Sequence, residues 1–349
     1  MEPQAQPTRY LDRDGHALVA LPAFARDPET LVAFYRAMLR TRTFDAKAVA
    51  LQRTGRLGTY ASSLGEEAVG VGLASAMRPE DVLLPSFREH AAQLWRGVTL
   101  DELLLYWGGD ERGNDFAGPR RDFPNAIPIA SQVPQAAGVA LAMKLRGEDR
   151  AAVCVMGDGA TSKGDFYEGL NAAGVWALPA VFVIANNGWA ISLPRQLQTA
   201  AATLAQKAVA AGIEGIQVDG NDVIAMHAAT AQALAKARRG EGPTLIEALT
   251  YRLGDHTTVD DARRYRPQAE VDEHRRDEPL VRLKRCLVAA GAWDEARDRA
   301  LADVLKSEVE TAVEAYLARA PEPAAAMFDY LFDALPPALA AQRDEVDRG

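Results

Sequence analysis

Two short apolar runs organise the chain: residues 151–156, Ala-Ala-Val-Cys-Val-Met, and residues 180–185, Ala-Val-Phe-Val-Ile-Ala. The stretch between them, 165–176, has the spacing of a single helix. Strand, crossover helix and strand in that order place both strands parallel in one sheet, joined by a right-handed connection. Upstream, 29–40 has helical spacing with Leu31, Phe34, Tyr35, Met38 and Leu39 on one side, and 46–52 predicts a second helix. Residues 65–77 predict a helix rich in small residues, 81–84 a short strand, and 132–146 the helix before the first motif strand. Downstream the pattern predicts a helix over 201–211, a strand over 216–218, an Ala-rich helix over 223–238 and a strand over 244–250. Residues 108–126 carry Gly, Asn, Asp and Pro throughout and predict a long loop, a length often tied to function in compact domains. The loop 251–266 is dense in charge, and 278–343 is charged and helical with an Ala, Arg and Glu bias. No internal repeat is present.

This order gives an α/β fold with a parallel sheet flanked by helices, divided into three parts. Residues 1–27 are aperiodic and predict an N-terminal arm that docks on something else. Residues 28–270 form the α/β domain, and 271–349 a helical C-terminal extension.

The chemistry lies where the two apolar runs end. Gly157, Asp158 and Gly159 follow the first, and Asn186 and Asn187 follow the second. Ligands of open parallel sheets bind at the carboxyl ends of the strands, so a carboxylate and a carboxamide from neighbouring turns can converge on one hard cation. Oxygen donors of this kind suit Mg²⁺, which shares its shell with substrate phosphates. The expected ligand is therefore a diphosphate, approached by backbone that the two glycines leave unobstructed. Either motif alone is a common turn; the pair, each after an apolar strand, is far more specific. Residues 159–164 have the glycine spacing of a P-loop but continue with Asp165 where a lysine must stand, and no nicotinamide-type glycine signature opens a helix.

Other strands should feed the same edge. Arg88, after the strand over 81–84, could clamp phosphate oxygens, and His256, after the strand over 244–250, could hydrogen-bond a phosphate or donate a proton near pH 7. His90 is expected to line a wall; His16, His227 and His274 read as surface residues. With 349 residues and 48% hydrophobic content the chain can bury a large core. Its net charge of −9 argues against nucleic acid as a primary partner. Two cysteines cannot frame a disulfide scaffold, which together with a polar N-terminus and no membrane-length apolar run predicts a cytoplasmic protein.

With these pieces placed, the chain resembles the alpha subunit of the thiamine-diphosphate-dependent 2-oxo acid dehydrogenase component, of the bacterial pyruvate dehydrogenase type. The resemblance runs from about residue 31 to 336. It is carried by 52–58 (Gln-Arg-Thr-Gly-Arg-Leu-Gly), 65–68 (Gly-Glu-Glu-Ala), 132–140 (Gln-Val-Pro-Gln-Ala-Ala-Gly-Val-Ala), 157–169, 186–192 (Asn-Asn-Gly-Trp-Ala-Ile-Ser) and 264–267 (Arg-Tyr-Arg-Pro). It implies that Asp158, Asn187 and the backbone carbonyl of Trp189 bind Mg²⁺. It also implies that Arg88, Gly159, Ala160 and His256 hold the diphosphate, and that backbone at Ile127 and Ile129 meets the cofactor rings. Phe87 stands where many relatives have a tyrosine that contacts the diphosphate, and Ala185 where branched-chain relatives can have arginine. Ser131 and Gln132 match positions that hold a monovalent cation in branched-chain relatives. Thr257 replaces a serine phosphorylated in mitochondrial relatives, so that regulation is not expected.

The implied activity is oxidative decarboxylation of pyruvate with reductive acetylation of a lipoyl-lysine, with His256 as the catalytic residue. The glutamate that activates the cofactor is implied to come from a beta subunit, in a tetramer of two alpha and two beta chains that serves a dihydrolipoyl acyltransferase core and its lipoyl domain. A branched-chain 2-oxo acid dehydrogenase, an acetoin dehydrogenase alpha subunit and a non-catalytic binding subunit are the alternatives.

Overall fold

The computed structural model describes residues 6–329 and 331–348. The part of the expected arm over 1–5 lies outside the described residues. From residue 28 a single helix, α1, runs over Pro28–Arg53, capped by the Asp27 carboxylate on the Glu29 amide. The pattern predicted two helices here. Thr41 and Thr43 interrupt the apolar stripe, but their hydroxyls donate back to the carbonyls of Ala37 and Leu39, so the helix continues through them.

Helix α2 (Glu67–Ala76) leads to β1 (Val82–Leu84), then α3 (His90–Arg96) and α4 (Leu100–Trp107). Helix α4 starts on a reciprocal capping box between Thr99 and Glu102. Next come α5 (Gln132–Leu145), β2 (Ala152–Gly157), α6 (Gly164–Val175) and β3 (Ala180–Asn186), then a two-stranded hairpin of β4 (Trp189–Ala190) and β5 (Leu193–Pro194). The chain continues through β6 (Glu214–Asp219), α7 (Val223–Arg238) and β7 (Thr244–Leu249). Four further helices follow: α8 (Gln268–Arg275), α9 (Pro279–Ala289), α10 (Glu295–Ala318) and α11 (Pro337–Arg348). Residues 205–211, predicted as helix, form a 3₁₀ turn closed by left-handed Gly212.

The main sheet is parallel throughout, in the order β1-β2-β3-β7-β6. This bears out the expected α/β class. Strands β2 and β3 read as continuous apolar runs because both of their faces are covered. Ala152, Cys154 and Met156 pack towards α5 and α6, while Val153 and Val155 pack towards α2 and α7. Cys154 is buried among these side chains, which pushes its thiol pKa up and makes it inert.

The small residues of α2 allow close packing inside this chain. A Cβ on Gly70 would lie 2.7 Å from Ala91 Cβ, and one on Gly72 would lie 2.4 Å from Met226 Cβ. The described part of the arm also docks on its own chain. Thr8 bridges β6 at Val218, Tyr10 and Leu11 amides each donate to the Asp222 carboxylate at 2.7 Å, and Arg9 pairs with Asp219 at 2.7 Å. The arm thereby covers an exposed sheet edge. Helices α9 and α10 pack on α1, so the C-terminal helices lean on the first one. Helix α8 runs continuously across residue 270.

Candidate active site

The in-register pairing of Gly157 with Ala185 and of Asn186 with Leu249 ends the strands at one edge. A cavity of about 420 Å³ opens there. Phe87, Arg88, Ile127, Ile129, Asp158, Gly159, Ala160, Asn187, Trp189 and His256 all line it. Ser131 and Gln132 do not. Gln132 is buried, donates to the Val155 carbonyl at 2.8 Å and leaves its Oε1 without a partner among the described residues. The loop that delivers Ile127 and Ile129 is tied to β1: Asp122 accepts from the Leu83 amide at 2.9 Å, and the Phe123 amide donates to the Leu83 carbonyl at 2.9 Å.

Asp158 opens a 3₁₀ turn over Asp158–Ser162 and is only 1% exposed. Burial raises its carboxyl pKa, opposed by a 2.8 Å hydrogen bond from Gln198 Nε2 and by nearby backbone amides. Across the cavity Asn187 precedes Gly188, whose φ of 85° makes the turn. Asn187 Nδ2 donates to Glu66 Oε1 at 2.8 Å, and its Oδ1 accepts from the Trp189 amide at 3.2 Å. Because the Trp189 amide can only donate, the carboxamide oxygen faces it and the nitrogen is turned towards Glu66. The carboxamide oxygen is thereby kept available as a ligand.

Arg88 is buried, which sets aside a surface ion pair. It donates to the carbonyls of Ser62 and His256, the latter at 3.0 Å, and its Nε lies 3.6 Å from Glu66. The His256 Nδ1 faces Arg88 Nη2 at 3.3 Å and Arg252 Nη1 at 3.5 Å. Both neighbours are donors only, so Nδ1 accepts and the ring proton sits on Nε2. Burial, Arg88 and Arg252 together push the His256 pKa down to about 4. At pH 7 it is therefore a neutral hydrogen-bond donor, which favours the first of the two roles expected of it, hydrogen-bonding a phosphate, over donating a proton.

The loop bearing His256 is held from beneath. Asp260 accepts from the His256 amide at 2.9 Å and from the Tyr265 hydroxyl, and Tyr265 accepts from Arg252 Nη2 at 2.9 Å. Arg252 also donates to the carbonyl of Ile191 at 2.8 Å. Ile191 has φ 55°, a costly conformation for a β-branched residue, and it lines the cavity.

Several residues of this site are not singled out by the sequence. Glu66, Glu89, Trp107 and Ile191 line the cavity, and Gln198 and Arg252 brace it. Burial and the neighbouring Glu66 push the Glu89 carboxyl pKa up to about 7. Of these, Glu66 and Ile191 lie in quoted motifs, without being singled out there. His90 points away, accepting from Trp107 Nε1 at 3.0 Å in a buried stack with Tyr60. His227 is half-buried between Phe24 and Phe34 and bonds Ser75, so it is no surface residue; His274 stacks on Tyr251.

The donor set fits a cation shared with a diphosphate. Among the described residues no group of three His, Cys, Asp or Glu side chains could hold a metal alone. One carboxylate, one carboxamide and one carbonyl instead leave much of an octahedral shell to a phosphate-bearing ligand. A Cβ on Gly157 would meet nothing within 4 Å, so that side of the wall is open backbone.

The fold and the cavity define an open parallel-sheet α/β protein with its ligand site at the strand carboxyl ends. Residues 35–325 match the family described as dehydrogenase E1 component, and the chain belongs to that family. It is 40% identical over 335 residues to the pyruvate dehydrogenase E1 component subunit alpha of Staphylococcus epidermidis, covering 96% of this chain and 90% of that one. Over 315 residues it is 42% identical to the protein of the same name from Staphylococcus aureus, covering 90% of this chain and 85% of that one.

Proposed function

We propose that this chain is the alpha subunit of a pyruvate dehydrogenase E1 component, which binds thiamine diphosphate through Mg²⁺ and decarboxylates pyruvate oxidatively. The observation that carries this reading is the convergence of Asp158, Asn187 and the Trp189 carbonyl with Arg88 and His256 around one cavity. Pyruvate as the substrate is supported by the names of the relatives.

Asp158, Asn187 and the Trp189 carbonyl hold Mg²⁺, while Arg88, the backbone at Gly159 and Ala160, and His256 hold the diphosphate. Phe87 supplies an apolar edge, and backbone at Ile127 and Ile129 meets the rings. Thiamine diphosphate supplies the electron sink for the bond broken as CO₂ leaves. Within this chain, Glu66 orients Asn187 and Arg88, so that the cation ligand and the phosphate clamp are set by one carboxylate. His256 donates through Nε2 to an anionic oxygen at the cavity mouth, and the approach of that anion favours the charged ring and raises its pKa. Ile127, Ile129, Ile191 and Trp107 give the cavity an apolar wall, whose three isoleucines are exposed in this chain alone.

A beta subunit completes the site in a tetramer of two alpha and two beta chains, and a lipoyl domain of a dihydrolipoyl acyltransferase core receives the acetyl group. The enzyme works in the cytoplasm; among the described residues no helix is long and apolar enough to cross a membrane. The test is reconstitution with a beta subunit, followed by steady-state comparison of pyruvate with 3-methyl-2-oxobutanoate. Preference for the branched substrate would replace the pyruvate assignment.

A further inference from the structure

Lys207 is a buried lysine, only 8% exposed, and like Arg252 and Arg266 it has no salt bridge among the described residues. A lysine taken out of water without a counter-charge costs free energy unless its donors are used. Here they meet a single residue. Nζ donates to the Thr161 carbonyl at 2.7 Å and to the Thr161 hydroxyl at 3.1 Å, and it lies 5.9 Å over the Phe166 ring and 5.3 Å over the Tyr167 ring.

Thr161 is itself fully buried, and its hydroxyl donates to the Asp158 carbonyl at 2.8 Å. The contacts therefore run in series from the Lys207 ammonium through the Thr161 hydroxyl to the Asp158 carbonyl. In a trans peptide the amide N–H points opposite to the carbonyl, and the Gly159 N–H on that other side donates to the Asp158 carboxylate, so the same peptide that the Thr161 hydroxyl holds also fixes the Asp158 side chain. Hydrogen bonds in series polarise one another, and the lysine end of this series is charge-assisted.

We infer that Lys207 is a positioning residue for the candidate cofactor site: it clamps the carbonyl side of the 158–162 turn, so that the Asp158 carboxylate is presented to the cation that a diphosphate shares. This rests on the functional reading above. Lys207 reaches the turn from 205–211, a segment packed on α6. No local motif links it to Asp158.

The test uses the chain co-expressed with its beta subunit. Wild-type enzyme is first titrated calorimetrically with thiamine diphosphate at saturating Mg²⁺; failure to bind defeats the functional reading and this inference with it. Given binding, Lys207→Met is expected to weaken cofactor affinity by about tenfold or more, the loss of a charge-assisted contact. Turnover at saturating cofactor changes far less than affinity, and amide exchange over 157–164 accelerates in the cofactor-free enzyme. Thr161→Val breaks the same series and moves both readouts in the same direction, whereas Thr161→Ser keeps the hydroxyl and restores them. If Lys207→Met does not fold, the Thr161 pair decides. Wild-type affinity together with unchanged local exchange in Lys207→Met, or in Thr161→Val, overturns the inference. A lowered melting temperature with uniformly faster exchange and unchanged affinity overturns it as well, since that marks a role in stability alone.

Discussion

Glu66 offers the sharpest test of how the site is held, because it contacts both halves of it. Its Oε1 accepts from Asn187 Nδ2 at 2.8 Å and faces Arg88 Nε at 3.6 Å, with only 7% of the residue exposed. Burial pushes its carboxyl pKa up, and Arg88 and Asn187 pull it back. Glu66→Ala removes a hydrogen bond to a charged acceptor, worth about 1.5–3 kcal/mol, and leaves a buried amide unpaired. At about 1.4 kcal/mol per decade, affinity for thiamine diphosphate with Mg²⁺ should fall by about ten- to a hundredfold. Glu66→Gln keeps an acceptor for Asn187 and loses only the charge facing Arg88, so its loss should be smaller, on the order of 1 kcal/mol. Calorimetric titration of the two variants in the co-expressed enzyme, with melting temperatures alongside, measures the order. Equal affinity for wild type and Glu66→Ala would refute the claim that one carboxylate orients both groups.

Asp158→Ala should abolish Mg²⁺-dependent retention of the cofactor, and wild-type affinity in that variant would sink the metal assignment. His256→Ala should lower turnover and reductive acetylation of a lipoyl domain more than it lowers melting temperature; the reverse pattern would make His256 structural. His90 is fully buried and its pKa is pushed down to about 3 by burial and Arg88, so it is depressed below its unfolded value near 6.5. Its contribution is complete above about pH 6.5 and is lost as pH falls towards 3, by up to roughly 5 kcal/mol. Urea midpoints across that window should fall less steeply for His90→Gln than for wild type, and parallel slopes would contradict this. The chain without a beta subunit should not decarboxylate pyruvate even with saturating thiamine diphosphate and Mg²⁺; robust activity would point to a self-contained site.

The sequence by itself determined the elements and the edge of the sheet where chemistry gathers. Period and composition are local properties, so the apolar runs at 151–156 and 180–185 announced β2 and β3, and the turn residues after them announced Asp158 and Asn187. The three-residue strand β1 and the histidine after β7 were legible for the same reason. Local pattern failed where side-chain partners rescued a helix, as at Thr41 and Thr43, and where a short Ala-rich stretch closed as a 3₁₀ turn. The tertiary structure alone decided which polar groups meet. Glu66 lies 121 residues from Asn187, and Lys207 lies 46 residues from Thr161. Neither pair leaves a periodic trace, because the contact is made by the sheet order β1-β2-β3-β7-β6 bringing distant loops to one edge. The same holds for the neutral state of His256, which its residue type leaves open and which burial and the two guanidiniums against Nδ1 impose.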